Sequence, residues 1–228
     1  MIGQALALSV VLLLTAACTG ASTTAATAPS SSGPTLRTLA GTVFGTGDYP
    51  SYAVDVPAGW STTDGHFVVK TGPGVIGLSV WDVGQVPRHP CNWSENLRDP
   101  GPTVDDLVEA LATQRLRDAT EPVDVSLGGY EGRYLQLSVP ADWVVTGDSD
   151  FKGCDDPGNG HQDFVSWLGD GQGERYAQVA GQIDRLWILD VDGQRFLVDA
   201  TYSPDTTKAD RDELTVIAGT IRFGDSSA

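Results

Sequence analysis

The chain has 228 residues, with 30 Asp and Glu against 14 Lys and Arg, and a formal net charge of −16 at pH 7. Its acidic residues are spread along the chain rather than gathered in a tail, a pattern that repels nucleic acid and anionic envelope polymers. Hydrophobic residues make up 40% of the chain, enough for one sizeable core at this length.

Residues Ile2 to Ala17 carry no charge. The apolar stretch from Ala5 to Ala17 is shorter than the ~20 residues of a bilayer span and suits the h-region of a secretory signal. Leu14-Thr15-Ala16-Ala17 precede Cys18, and a Thr/Ser/Ala-rich tail follows it. That arrangement resembles a lipobox, in which small residues admit a peptidase and the cysteine sulfur takes a diacylglycerol. Thr15 stands where Leu is usual, and Met1 to Gln4 contain no Lys or Arg. Plain secretion and an uncleaved span therefore stay open beside lipidation, as does the start codon. A Cys18 carrying two palmitate-type chains would hold a membrane without a basic patch, because two chains anchor stably where one does not. This places the protein on the extracytoplasmic face of the cell membrane, with the lipid as its membrane contact.

Thr19 to Pro34 has no apolar periodicity and no large side chain, so it cannot offset chain entropy by burial. A flexible coil of ~20 residues spans ~25 Å, which stands the folded part off the membrane. The predicted organisation is a signal peptide at 1–17, lipidated cysteine and tether at 18–38, and one globular domain at 39–225. With Cys18 assigned to lipid, Cys91 and Cys154 remain as an even pair in an oxidising compartment. A disulfide between them would contribute ~4 kcal/mol in the chain-entropy model. Two reduced structural cysteines are the alternative.

After the tether the chain reads mostly as strands. Ser51 to Val56 alternates before the turn Pro57-Ala58-Gly59, and His66 to Lys70 and Val75 to Val83 follow. A helix is predicted from Val104 to about Arg117, with Thr103 and Asp106 as a shortened capping box. Val123 to Leu127 and Tyr130 to Val139 form a hairpin around Gly128-Gly129. A second hairpin joins Ile183 to Val191 with Gln194 to Tyr202 through Asp192-Gly193, a dipeptide suited to a tight turn. Large apolar groups on both faces of that hairpin require a sheet covered on two sides. Thr207 and Asp210 cap a second helix running to about Ala218, and Ile221 to Phe223 closes the chain.

The order of these elements, with the "YAVDVPAGW" strand-turn and the closing "IAGTIRF", resembles the PsbP-like or LpqN-like lipoproteins of high-GC Gram-positive bacteria. The resemblance covers about Tyr52 to Phe223. It implies an α+β fold, a central, mainly antiparallel sheet flanked by two or more helices in an α/β/α sandwich. Such domains are mostly binding or assembly modules with no shared catalytic residues. Pro140 to Gly173 stands out as an insertion against that pattern.

The sequence contains no GxSxG elbow, HExxH, Walker loop or CxxC pair. Gly169 to Gly173 has the glycine content of a phosphate loop, but a predicted strand follows it where a helix N-terminus is needed, so it reads as a hairpin loop. Asp148 to Gly153 starts like a calcium loop, but Lys152 and Asn159 occupy ligand positions. The cluster Asp148, Asp150, Asp155 and Asp156 reads first as a solvated acidic loop and second as an irregular cation site.

One mixed constellation remains. A Cys91–Cys154 bond would gather Arg88, His89, Trp93, Asp155, Asp156 and His161 into a candidate ligand surface. The competing reading is a stapled loop, with Trp93 over the core and Arg88 paired to Asp155 or Asp156. Trp143 and Trp167 flank the insertion and could line a pocket beside it. No cofactor or metal site is assigned. The leading expectation is a non-enzymatic, envelope-anchored binding or assembly module acting on a small ligand or an envelope protein. The alternatives are a hydrolase or metal-dependent enzyme near Cys91 and Cys154, and a sensory or regulatory ectodomain partner.

Overall fold

The computed structural model describes residues 35–224 except 48, 148, 159 and 172. Cys18, the predicted leader and the tether up to Pro34 lie outside the described residues. Arg37 and Thr38, which the sequence assigns to the tether, already belong to a strand. β1 (Arg37–Gly41) runs antiparallel to β2 (Tyr52–Val56), and after the Pro57-Ala58-Gly59 turn β3 (Trp60–Thr63) pairs with β4 (Phe67–Lys70).

The predicted run Val75 to Val83 is two strands, β5 (Ile76–Trp81) and β6 (Val83–Pro87). Phe44 divides them. Its N–H donates to Val80 O at 2.8 Å and its carbonyl accepts from Asp82 N–H at 2.9 Å, bridging the chain at Trp81. β6 then pairs with β7 (Leu97–Arg98) beyond a 3₁₀ turn at Pro90–Glu95.

α1 (Val104–Ala112) has the predicted capping box, with Thr103 Oγ1 accepting from Asp106 N–H and Asp106 Oδ2 from Thr103 N–H. It ends well before Arg117. Leu116 takes a left-handed φ of 62°, and Arg117 turns inward to a buried carboxylate, so tertiary charge pairing outcompetes continuation of the helix.

Next come β8 (Asp118–Ala119), β9 (Val123–Leu127), β10 (Tyr130–Ser138), β11 (Val145–Thr146), β12 (Asp150–Phe151), β13 (Val165–Gly169) and β14 (Glu174–Tyr176). The late hairpin is β15 (Ile183–Val191) and β16 (Gln194–Tyr202), with Asp192 and Gly193 both at positive φ. α2 (Lys208–Gly219), capped by Thr207, and β17 (Arg222–Phe223) complete the chain.

The main sheet has the order β3-β4-β5-β16-β15-β10, with β8 and β9 sharing the outer edge of β10. All of these pairings are antiparallel. Alternation along β15 and β16 sends side chains to two separate cores. On one face Leu189, Val191, Phe196 and Val198 meet Leu214 and Ile217 of α2 and Val54 and Val56 of β2. On the other, Leu186, Ile188 and Leu197 meet Leu107 and Leu111 of α1 and Trp167 of β13. A helix therefore lies on each face, and the fold is α+β with a central antiparallel sheet.

β14, β13, β6 and β7 make a second sheet on the α1 side, and Phe151, Phe164 and the two cysteines form a smaller third core.

Candidate functional site

Cys91 and Cys154 are bonded, with Cα atoms 4.4 Å apart. The staple joins the 3₁₀ turn to the insertion. Around it, the Asp155 N–H donates to Cys91 O at 2.8 Å, and Asp155 Oδ2 accepts from Ser94 N–H at 3.0 Å and Ser94 Oγ at 2.6 Å. His89 caps the turn, its Nδ1 accepting from Asn92 N–H at 3.2 Å. Asp156 Oδ1 accepts from the Gly158 and Gly160 amides at 2.7 and 3.1 Å.

Trp93 is 7% exposed, so its ring covers protein rather than presenting a stacking face. The Arg88 side chain is exposed, and its pairing with Asp155 or Asp156 is not among the ion pairs of the described residues. His161 is exposed. Its charge opposes the effect of burial on the nearby Asp163 carboxyl, which burial nonetheless raises.

The fold thus gathers Trp93, Asp155 and the cysteines into one capped corner, and spends His89, Asp155 and Asp156 on backbone amides. Asp148 lies outside the described residues. Asp150 accepts from Gln162 N–H at 2.7 Å and Thr146 Oγ1 at 3.2 Å. Among the described residues, no group of three or more His, Cys, Asp or Glu is arranged to hold a metal ion.

Trp143 and Trp167 part company. Trp143 lines an open groove with Leu116, Pro140, Val144 and Lys152, whereas Trp167 is fully buried in the second core. Gly169 N–H donates to Gly173 O at 3.0 Å between the antiparallel β13 and β14, so that glycine stretch is a hairpin loop as expected.

A more constrained chemistry lies beneath β14. Asp184 of β15 and Asp199 of β16 point to the α1 side of the main sheet, where Arg117 and Arg175 cover them. All four side chains are buried. Arg117 Nη2 pairs with Asp184. Arg175 reaches Asp184 with Nη2 at 3.2 Å and Asp199 with Nε at 2.7 Å. Asp184 also accepts from Gln182 Nε2 at 2.8 Å and Thr201 Oγ1 at 2.6 Å, and Arg117 Nη1 donates to Ser166 Oγ at 2.6 Å.

Two guanidinium groups and two carboxylates cancel in charge, which limits the several kcal/mol that burying each ion costs. The carboxylates differ. Burial would raise Asp184, but Arg117 and Arg175 outweigh it and hold the group below its ordinary value. Burial wins at Asp199, which is pushed up to about 6, with the neighbouring Asp184 charge adding to the rise. Asp199 Oδ1 has no hydrogen-bond partner among the described residues.

Beside this quartet the main sheet is left bare. A cavity of about 250 Å³ opens there, with Phe67 and Val69 of β4 as apolar wall, Gly77 of β5 as side-chain-free floor, and Ser79, Arg175 and Gln178 at its polar end; the exposed Asp64 also lines it. Gly77 matters because any larger residue would fill this floor; its Cβ would already sit 3.1 Å from Val69 Cγ1 and from Val68 O. His66, His89 and His161 do not line the cavity.

Sequence reasoning passed over this place. A signal was present: Asp184 and Asp199 interrupt apolar strands that need cover on both faces, and a charge in such a setting needs a buried partner. The identity of the partners was not legible, because Arg117 comes from a loop and Arg175 from a short strand just beyond the insertion.

No protein-family model and no curated protein matches the chain. Among solved structures, LpqN, involved in cell envelope biogenesis of Mycobacterium tuberculosis, is 13% identical with a TM-score of 0.38, over 83% of this chain and 91% of that one. The cyanobacterial PsbP (CyanoP) of Synechocystis sp. PCC 6803 is 11% identical with a TM-score of 0.35, over 87% and 98%. These are the two kinds of protein that the sequence resembles. The α+β architecture itself rests on the strand pairings and helix positions given above.

Proposed function

We propose that the protein is an exported, lipid-anchored component of the cell envelope that binds a ligand or partner and catalyses no reaction. The observation that carries the binding reading is the cavity beside Arg175, an apolar wall ending in a polar corner, which is the usual make-up of a small-molecule site. The candidate histidine His89 is engaged as a turn cap.

Export is supported by the Cys91–Cys154 bond, since disulfides persist in oxidising compartments, and by the leader ending at Cys18. The net charge of −16 argues against nucleic acid as the partner.

Mass spectrometry of detergent-extracted mature protein tests the anchor. The expected N-terminus is a diacylated Cys18, and Cys18→Ser should release the chain from membranes or leave it unprocessed. An unmodified N-terminus at another position in the wild-type mature protein would overturn the anchored reading.

A further inference from the structure

We infer that the cavity beside Arg175 is a binding site for a compact monocarboxylate, its apolar body lying over Gly77 against Phe67 and Val69 and its carboxylate facing Arg175 and Gln178. This deepens the binding reading above and rests on it.

The shape sets the size. At about 250 Å³ the cavity lies just below the ~300–1,000 Å³ of drug-sized sites. The wall sets the body: Phe67 and Val69 offer only van der Waals contact, and burying each methylene against them is worth ~0.8 kcal/mol.

The polar end sets the head group, because it is rich in donors. Arg175 has five N–H donors, and three bonds are formed among the described residues, to Asp199, Asp184 and Tyr176 O. The remaining two are on Nη1 and Nη2. Ser79 Oγ accepts from Trp81 Nε1 at 2.8 Å, which leaves its own proton to donate. The Gln178 amide adds two more donors beside one acceptor oxygen, so donors outnumber acceptors among these three side chains. An acceptor-only group satisfies such a corner better than a hydroxyl or an amine.

The electrostatics permit an anion. Arg117 and Arg175 offset Asp184 and Asp199, so an arriving carboxylate meets no net negative charge in the quartet, and the one carboxylate of the cavity lining, Asp64, is exposed to solvent. A planar carboxylate also matches the guanidinium fork, to which hydrogen bonds are strengthened by charge.

A chain starting at Pro34, without the leader and most of the tether, allows a test free of the anchor and of detergent. Octanoate and phenylacetate, each beside its alcohol analogue (octanol and 2-phenylethanol), would be titrated by amide NMR. The expected result is saturable, submillimolar binding of the acids, with shifts at Gly77, Ser79 and Gln178. The alcohols should bind about tenfold more weakly.

Gln178→Glu, which sets a like charge at the corner, and Val69→Phe, which fills the space, should each weaken octanoate about tenfold or more while the melting temperature stays near wild type. Equal affinity for acids and alcohols, or acid binding untouched by both variants, would overturn the assignment. So would the absence of saturable binding to either acid. None of these outcomes bears on whether Cys18 is lipidated.

Discussion

Trp93 and Asp199 show how burial assigns a role to a single side chain. Trp93 lies in a turn read either as part of a ligand surface or as a stapled loop with Trp93 over the core, and with only 7% of its surface exposed it takes the second role. Trp93→Ala should therefore cost ~3–5 kcal/mol in chemical unfolding, as removal of a buried aromatic does. His89→Ala should cost only ~1 kcal/mol, the worth of a cap. A Trp93→Ala protein of undiminished stability would restore that corner as a candidate ligand surface.

Asp199 carries the sharper prediction. Its carboxyl is raised from an ordinary 3.8 to about 6, so the folded state holds the proton more tightly than the unfolded chain. The stability linked to that proton is fully present below about pH 4 and is lost as pH rises through 6. Asp184 has the opposite sign, because a lowered carboxyl contributes above its ordinary value and loses that contribution as acid protonates it.

Asp199→Asn removes the first dependence and, with it, a negative charge beside Asp184, which is itself held below its ordinary value. Denaturant melts should show the variant gaining about 2–3 kcal/mol relative to wild type between pH 4 and pH 8. A difference independent of pH would show that Asp199 does not titrate in this range.

Among the elements, α1 is the clearest case of a local signal kept at one end and overruled at the other. Its start is set by the reciprocal Thr103–Asp106 cap, so Thr103→Ala should lower stability by about 1 kcal/mol without altering the Cys91–Cys154 bond, read from thermal melts and thiol counts. Its end is set from outside. Thr113 closes the helix, and the following turn delivers Arg117 to Asp184 across the second core.

The late hairpin needed no such help. Asp192-Gly193 supplies two positive φ values, and β15 and β16 pair from Ile183–Tyr202 to Val191–Gln194 without a register shift. On the far side of β15, Gly132 of β10 allows the close backbone approach, since a Cβ there would fall 2.0 Å from Ile188 O.

At the scale of the molecule, the insertion is held twice. The disulfide ties it to the 3₁₀ turn, and Arg175 ties β14, just beyond it, to the main sheet. Non-reducing peptide mapping should recover Cys91 joined to Cys154, and Cys91→Ala should lower unfolding stability by about 2–5 kcal/mol. The small third core of Phe151, Phe164 and Val139 should loosen first under hydrogen exchange, because it is packed directly on the cysteines. Two freely alkylated thiols in the oxidised wild-type protein would rule out the staple.

Periodicity and turn chemistry alone place β2, β4, both hairpins, both helix starts and the two-sided cover of the sheet, because these depend on neighbours within a few residues or on the face each side chain takes. Counting offers Cys91 and Cys154 as a candidate pair once Cys18 is set aside, and the structure bonds them. Tertiary structure alone decides the break at Asp82, the early end of α1 and the fate of each tryptophan, since each depends on a residue brought from elsewhere: Phe44, Asp184 and the covering cores. The cavity belongs to the same class. Gly77, Phe67 and Arg175 come from three strands of two sheets, and no local pattern in the chain records that a gap is left where those sheets meet.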